Sequence, residues 1–123
     1  MTKILLAREE GGLRCSASGH AGFAEKGSDI VCAAVTVLLR TAMRFLSKDA
    51  QIEFATSLPL RSESDLEESR RGELSFSARV KEDLALDEKS SAKIKIAFLA
   101  DYLSEGFKSL CEEFPRNVEY REN

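Results

Sequence analysis

The stretch Gly19–Ala34, GHAGFAEKGSDIVCAA, organises the rest of the chain. It contains the single histidine of the protein, His20, and runs into the start of a helix that carries Cys32. Ser28 or Asp29 can cap that helix, because a short oxygen-bearing side chain accepts a hydrogen bond from the free N–H groups of the first turn. Cys32 is then predicted in or just after the first turn. There the free N–H groups and the helix dipole favour a thiolate over a neutral thiol.

The helix is predicted over Asp29–Ser47, because its apolar residues cover one broad arc at the helical period of 3.6 residues. Cys32 lies at the edge of this arc, with Leu39 and Met43 on one side and Thr36 on the other. The predicted arc consists of Ile30, Val31, Ala34, Val35, Val37, Leu38, Ala42, Phe45 and Leu46. A structural cysteine is expected in the middle of such an arc. A catalytic cysteine is expected at its edge, where packing supports it and substrate can reach it.

Strands are predicted on both sides of this helix, where apolar and polar residues alternate. The predicted strands are Lys3–Arg8, Leu13–Ser18, Gln51–Leu60 and Glu73–Lys81, with Asn117–Arg121 as a fifth. Gly11 and Gly12 give the first two strands a hairpin turn. Pro59 lacks a ladder donor and indicates an edge or a strand end. The mixed-charge segment Arg61–Gly72 is predicted to be a solvated loop, and Cys15 is predicted to be a small core residue.

A second long helix is predicted to open at Asp87 or Ser90 and to end before Pro115, since proline disfavours helix at the preceding residue. Its apolar stripe, expected to pack on the sheet, is Ile96, Leu99, Leu103, Phe107, Leu110 and Phe114. Cys111 lies near this stripe and is predicted to be packed. The order β-β-α-β-β-α, with or without a final strand, predicts a two-layer α+β domain over residues 1–123. Its mostly antiparallel sheet of four or five strands carries both helices on one face.

Composition limits the classes of function. With 123 residues the chain is expected to form one domain, and 43% apolar and 32% charged residues are typical of a soluble globular protein. A net charge of −3 argues against a nucleic-acid binder that depends on a basic face. The apolar run Ile4–Ala7 is too short for a signal-peptide core, and we expect no membrane span. Three cysteines, an odd number, indicate free thiols in a reducing cytoplasm.

A cysteine and a histidine make a nucleophile and a general base when their side chains meet. His20 follows the second strand and Cys32 opens the helix, so both can point into one crevice at the sheet edge. His20 would accept the thiol proton and later protonate the leaving amine, while N–H groups at the helix start bind an oxyanion. Asp29 would either cap the helix or orient His20. Thr36, one turn beyond Cys32, would hydrogen-bond near the thiol or to its own backbone.

The residues around this pair closely resemble the signature of the ribosomal-processing cysteine protease family, Prp. The matching residues, within about sixteen contiguous positions, are Gly19, His20, Ala21, Gly27, Asp29, Ile30, Val31, Cys32 and Ala33. The resemblance implies a Cys–His dyad with Cys32 as nucleophile and His20 as general base, and a homodimer. It also implies a loop, Ala21–Ser28, that moves to admit the peptide, with Gly22 and Gly27 as hinges. Where members of the family carry Ser, this chain has Thr36.

The resemblance further implies the activity. Family members are endopeptidases that remove a short N-terminal extension from large ribosomal subunit protein L-twenty-seven in bacteria that encode one. The same crevice could instead belong to a non-catalytic module that binds a peptide or a ribosome assembly factor. A thiol sensor or metal site is disfavoured, because one histidine and three scattered cysteines do not readily supply a zinc ligand set. A self-associating structural protein would leave the glycine loop without a purpose. We therefore expect no metal, no cofactor, no membrane contact and no direct contact with nucleic acid.

Overall fold

The computed structural model describes residues 1–19, 26–56 and 73–123, with residues 26–29 and 73 described by their backbone alone. These ranges form five β-strands and two α-helices. In chain order they are β1 (Thr2–Glu9), β2 (Gly12–Ser18), α1 (Lys26–Ser47), β3 (Ile52–Thr56), β4 (Glu73–Val80), α2 (Leu86–Glu113) and β5 (Val118–Glu122). The predicted α+β element order is confirmed, and the fifth strand is present.

The five strands form one sheet in the order β3-β4-β2-β1-β5. The pairs β1–β2, β2–β4 and β3–β4 are antiparallel, and β5 runs parallel to β1. The sheet is therefore mostly antiparallel, as predicted. Gly11 turns the chain between β1 and β2 with a φ of +68°, a conformation that glycine adopts without steric cost. β3 is an edge strand, which agrees with the prediction that Pro59 marks an edge or a strand end. Pro59 itself lies outside the described residues.

One face of the sheet carries the core, because alternate residues of every strand are apolar and point toward the helices. On the central strands these residues are Ile4, Leu6, Leu13, Cys15, Ala17, Leu74, Phe76, Ala78 and Val80. Cys15 is 2% exposed, so its predicted role as a small core residue is confirmed. Both helices contact the sheet and each other, which produces the predicted two-layer arrangement.

Helix α1 begins at Lys26, three residues before the predicted start at Asp29. Gly27 and Ser28 therefore lie in the first helical turn and not in the preceding loop, contrary to the prediction. A polar or acidic residue satisfies free N–H groups and the helix dipole inside the first turn as well as at the cap. The sequence signal therefore located the helix terminus but did not fix its first residue.

The buried stripe of α1 is rotated from the predicted arc. Its fully buried members are Val31, Val35, Leu39, Ala42, Met43 and Leu46. Leu39 and Met43, which were placed beside Cys32 at the edge of the arc, are core residues. Ile30, Val37 and Phe45, placed in the arc, are each more than half exposed.

Within the described residues, the segment Ile30–Ser47 has the length and apolar composition of a membrane span, a test that core helices of soluble proteins also pass.

Helix α2 and strand β5 confirm the predicted second half of the chain. The stripe residues Ile96, Leu103, Phe107 and Leu110 are buried, and the helix ends before Pro115.

The carboxylate of Glu122 fixes the last strand, because it accepts hydrogen bonds from side chains of three other positions. The donors are Ser104 Oγ at 3.0 Å, Tyr120 OH at 3.1 Å and Arg8 Nε at 2.7 Å. Burial opposes ionisation of Glu122, but these hydrogen bonds outweigh it and lower its pKa.

Candidate active site

Cys32 is half-buried on α1, at the border between the core stripe and the surface. The predicted position at an edge is therefore confirmed, although different residues form that edge. Its Sγ lies 3.6 Å from Oγ1 of Thr2, the first residue of β1. The side chain of Thr2 is buried, at 6% exposure, and its backbone N–H donates to the Asn117 carbonyl at 2.8 Å. The sulfur is thus held between the second turn of a helix and the end of a central strand.

The helix start lies farther from the thiol than predicted. Cys32 is six residues after Lys26, whereas only the first four N–H groups of a helix lack an intrahelical acceptor. The prediction that Cys32 lies in or just after the first turn is therefore wrong by about one turn. Free N–H groups of α1 are consequently not adjacent in sequence to Cys32, and the dipole contribution falls off within the first turn.

Thr36 hydrogen-bonds to the backbone of its own helix, which is one of its two predicted roles. Its Oγ1 donates a hydrogen bond to the Cys32 carbonyl oxygen at 2.7 Å, four residues back along the helix. Threonine in a helix commonly makes this bond to its own backbone. Thr36 therefore supports the backbone of Cys32, which is the second of the two roles that the sequence left open.

Gly19 closes the end of β2 against the start of β1. Its φ is +155°, and a Cβ at this position would lie 2.6 Å from the Met1 carbonyl oxygen and 2.8 Å from Thr2 Cα. These contacts are to backbone atoms, which cannot rotate out of the way. A glycine is therefore required for the two strands to meet at this point, and Gly19 directly precedes His20 in the sequence.

The remaining predicted site residues are only partly covered by the described structure. His20, Gly22 and the segment from Ala21 to residue 25 lie outside the described residues, as does the side chain of Asp29. Gly27 lies in the first turn of α1 and not in the loop before it, and its role as a hinge stays a prediction.

The other two cysteines differ from Cys32 in their surroundings. Burial raises the pKa of the Cys15 thiol to about 12. Burial also raises the pKa of Cys111 on α2, against a hydrogen bond with the backbone of Tyr120 that lowers it. A raised pKa leaves less of the nucleophilic thiolate at neutral pH, so neither residue has the surroundings of an activated nucleophile.

No metal-binding cluster accompanies the thiol in the described part of the chain, where His, Cys, Asp and Glu side chains form no group of three able to hold an ion. A separate groove of 330 Å³ lies between α1 and α2. It is lined mainly by apolar residues, among them Val37, Phe45, Phe98 and Tyr102, and Cys32 is not one of its lining residues.

Sequence reasoning missed Thr2 as a contact of the thiol. The signal was present, because Thr2 is in phase with Ile4 and Leu6 on the core-facing side of β1. A hydroxyl at a core-facing strand position needs a hydrogen-bonding partner. The sequence could not identify Cys32 as that partner, because 30 residues separate the two positions.

Comparisons with protein families and solved structures show what this chain is similar to. A family model described as cysteine protease Prp matches residues 1–119. The fold is similar to that of SMU.848 from Streptococcus mutans, with a TM-score of 0.66 and 24% identity over 99% of this chain and 93% of that chain. It is also similar to the essential ribosomal processing protease Prp from S. aureus in complex with a substrate peptide. That likeness has a TM-score of 0.66 and 15% identity over 100% of both chains.

A second structure of the S. aureus protease, with a covalently linked product peptide, gives a TM-score of 0.54 and 18% identity over 100% of both chains. None of the curated protein sequences compared with the chain matches it significantly. At these identities the structural likenesses establish the fold, and the match to the family model covers nearly the whole chain.

Proposed function

Because this chain belongs to the Prp family of cysteine proteases, which act in ribosomal processing, we propose that it removes the N-terminal extension of large ribosomal subunit protein L-twenty-seven. We propose Cys32 as the nucleophile and His20 as the general base and acid. The observation that carries this proposal is the location of the family signature. Its cysteine is half-buried on α1, and its histidine directly follows the strand end that packs on Thr2, the residue in contact with the cysteine sulfur.

The other cysteines support this assignment by exclusion. Cys15 is enclosed in the core, and its raised pKa disfavours the thiolate. Cys111 lies on α2, where burial raises its pKa and it hydrogen-bonds with the backbone of Tyr120 in β5. Cys32 and Cys111 are both partly exposed and both have a hydrogen-bonding neighbour, but Cys32 is the one that lies within the family signature, and burial raises the pKa of Cys111.

The proposed reaction has two steps. His20 accepts the thiol proton of Cys32, and the sulfur attacks the scissile carbonyl carbon, so that a C–S bond forms and charge develops on the oxygen. The tetrahedral intermediate collapses, the C–N bond breaks, and His20 gives its proton to the leaving amine. Water then attacks the thioester and loses a proton to His20. Cleavage of the C–S bond releases the carboxylate product and regenerates the free enzyme.

A peptide that spans the junction between the extension and the mature start of the substrate tests this proposal. The wild-type protein should cleave it, and Cys32→Ala or His20→Ala should lower kcat/KM by at least about 10³-fold, because a dyad acts as a unit. Cys111→Ala is the matched control and should cleave at the wild-type rate. Cleavage by Cys32→Ala at the wild-type rate would refute the assignment. Binding of the peptide without turnover, unchanged in Cys32→Ser, would favour the non-catalytic module.

We also propose that the protein works in the cytoplasm as a homodimer. The groove between α1 and α2 supports the dimer, since Val37, Phe45, Phe98 and Tyr102 leave more than half of each side chain exposed. The three aromatic side chains carry on the order of 200 Å² each and Val37 carries less, so the four residues together expose on the order of 400 Å² of apolar surface. That is roughly half of what one partner buries in a standard interface.

Sedimentation of Phe98→Glu tests the dimer. We expect wild-type protein to sediment as a dimer and Phe98→Glu as a monomer. Leu86→Glu, which adds the same charge at an exposed apolar position outside the groove, should remain dimeric. Monomeric wild-type protein at micromolar concentration would contradict the proposal.

A further inference from the structure

We propose that Thr2 is a positioning residue for the nucleophile, whose hydroxyl donates a hydrogen bond to the Cys32 thiolate and fixes the direction of the sulfur. This inference rests on the proposed function. Its starting observation is the distance of 3.6 Å between Thr2 Oγ1 and Cys32 Sγ, in a site where the threonine is 6% exposed.

The backbone of Thr2 is fixed on both sides, so its hydroxyl is presented rigidly. In the parallel ladder Thr2 is opposite Val118, and its N–H donates to the Asn117 carbonyl at 2.8 Å. On the other side Gly19 approaches so closely that no Cβ fits between it and the Thr2 backbone. A β-branched side chain has few χ1 rotamers, which further limits the position of the hydroxyl.

Ionisation of the thiol determines the direction of this hydrogen bond. In the neutral state either atom can donate, but a thiolate can only accept. The Thr2 hydroxyl then donates to an anion, and a charge-assisted hydrogen bond is about twice as strong as a neutral one. The contact therefore stabilises the thiolate more than the thiol.

The position of Cys32 in the helix makes this donor more important. The sequence predicted that free N–H groups of the first turn stabilise the thiolate, but Cys32 lies beyond the four positions that have them. Among the described residues, the structure records a hydrogen-bonding contact between the Cys32 sulfur and the Thr2 hydroxyl. Thr2 also packs closely against the backbone of Gly19, the residue that precedes His20 in the sequence.

A merely structural role for Thr2 makes a different prediction, and two substitutions separate the two roles. Thr2→Val keeps the shape and removes the hydroxyl, whereas Thr2→Ser keeps the hydroxyl and removes the methyl group. If the hydroxyl only fills space at the strand end, Val should serve as well as Thr. If it positions the sulfur, Ser should retain function and Val should lose it.

The primary readout is the rate of Cys32 alkylation by iodoacetamide between pH 5 and pH 10, measured by mass spectrometry of the Cys32 peptide. For Thr2→Val we expect the midpoint of the pH profile to rise by about one unit, and kcat/KM for the junction peptide to fall about tenfold with KM unchanged. Thr2→Ser should stay within about twofold of wild type. Ser90→Ala, which also removes a hydroxyl but from an exposed position of α2 outside the groove, should change neither quantity.

The proposal is overturned if Thr2→Val keeps the wild-type midpoint and kcat/KM. It is also overturned if Thr2→Ser loses as much activity as Thr2→Val, because keeping the hydroxyl would then not preserve function. If Thr2→Val does not fold, Thr2→Ser and Thr2→Ala replace it, since they differ by one oxygen atom. The alkylation readout needs no substrate, so it tests Thr2 even if Cys32→Ala shows that another residue performs the cleavage.

Discussion

Substitution of Gly19 by alanine tests how the two strand ends beside the site are held together. The added Cβ would lie 2.6 Å from the Met1 carbonyl oxygen and 2.8 Å from Thr2 Cα, where ordinary van der Waals contact begins at 3.4 Å. The Met1 backbone must therefore retreat by roughly 0.8 Å, or the end of β2 must shift by the same amount. The φ of +155° adds strain for any residue with a Cβ.

The expected loss of stability follows from the close contacts of the added Cβ and from the backbone strain. Backbone strain of this kind costs about 1–3 kcal/mol, and overpacking costs a similar amount when neighbours must move. We expect the free energy of unfolding of Gly19→Ala to fall by about 2–4 kcal/mol, measured by urea denaturation. Because the shift moves Thr2 and the residue before His20, kcat/KM should also fall, by as much as about 10²-fold for a displacement near 1 Å.

Gly12→Ala, in the same strand β2, is the matched control. A Cβ at Gly12 would have its nearest neighbour at 3.5 Å, an ordinary contact, so its unfolding free energy should stay within about 1 kcal/mol of wild type. Activity of Gly12→Ala should be unchanged. The reasoning is refuted if Gly19→Ala matches Gly12→Ala in stability and cleaves the junction peptide at the wild-type rate.

Three other predictions concern single residues. In native protein at neutral pH, iodoacetamide should modify Cys32 first, while Cys15, with its pKa raised by burial from 9.0 to about 12, should react at least about 10³-fold more slowly than an ordinary thiol. Equal rates by peptide mass spectrometry would contradict this. Hydrogen bonds from the Lys95 side chain and a backbone N–H lower the pKa of Asp49, so its stabilising contribution is present above its ordinary value of 3.8 and is lost as the pH falls through the lowered value. Thermal unfolding of Asp49→Asn should therefore differ from wild type at pH 7 and converge with it in acid. Phe107→Ala removes a fully buried ring and should lower the unfolding free energy by about 3–5 kcal/mol in urea, and a loss below 1 kcal/mol would show that the ring is not part of the core.

The sheet and α2 were predictable because their buried positions follow one period without competition. Ile4 and Leu6 alternate with exposed residues on β1, and Cys15 follows the same phase on β2, so the face of each strand was determined locally. On α2, Phe107 and Leu110 continue the predicted buried stripe, although Ile94, Phe98 and Tyr102 are exposed outside it. Local pattern and tertiary packing agree in these elements, so the sequence was sufficient.

The site was less predictable, for reasons that differ between residues. Cys32 was identified from the signature around it, and its position at an edge followed from the helical period. The start of α1 was wrong by three residues, because Ser28 and Asp29 suit the first turn as well as the cap. The contact between Thr2 and Cys32 depends on how β1 lies against α1, and no pattern within either element specifies that relation.

The misplaced arc on α1 has a physical cause that extends beyond the helix itself. A helix with one apolar stripe reveals which side faces the core, but α1 is apolar on two sides, so its period alone does not choose between them. The sheet covers the side of Val31 and Leu39, and Val37 and Phe45 remain exposed next to Phe98 of α2. An excess of apolar residues over what the chain itself can bury indicates a second covered surface. If Phe98→Glu leaves the sedimentation of the protein unchanged, that surface serves another purpose, and the apolar residues outside the core of α1 need a different explanation.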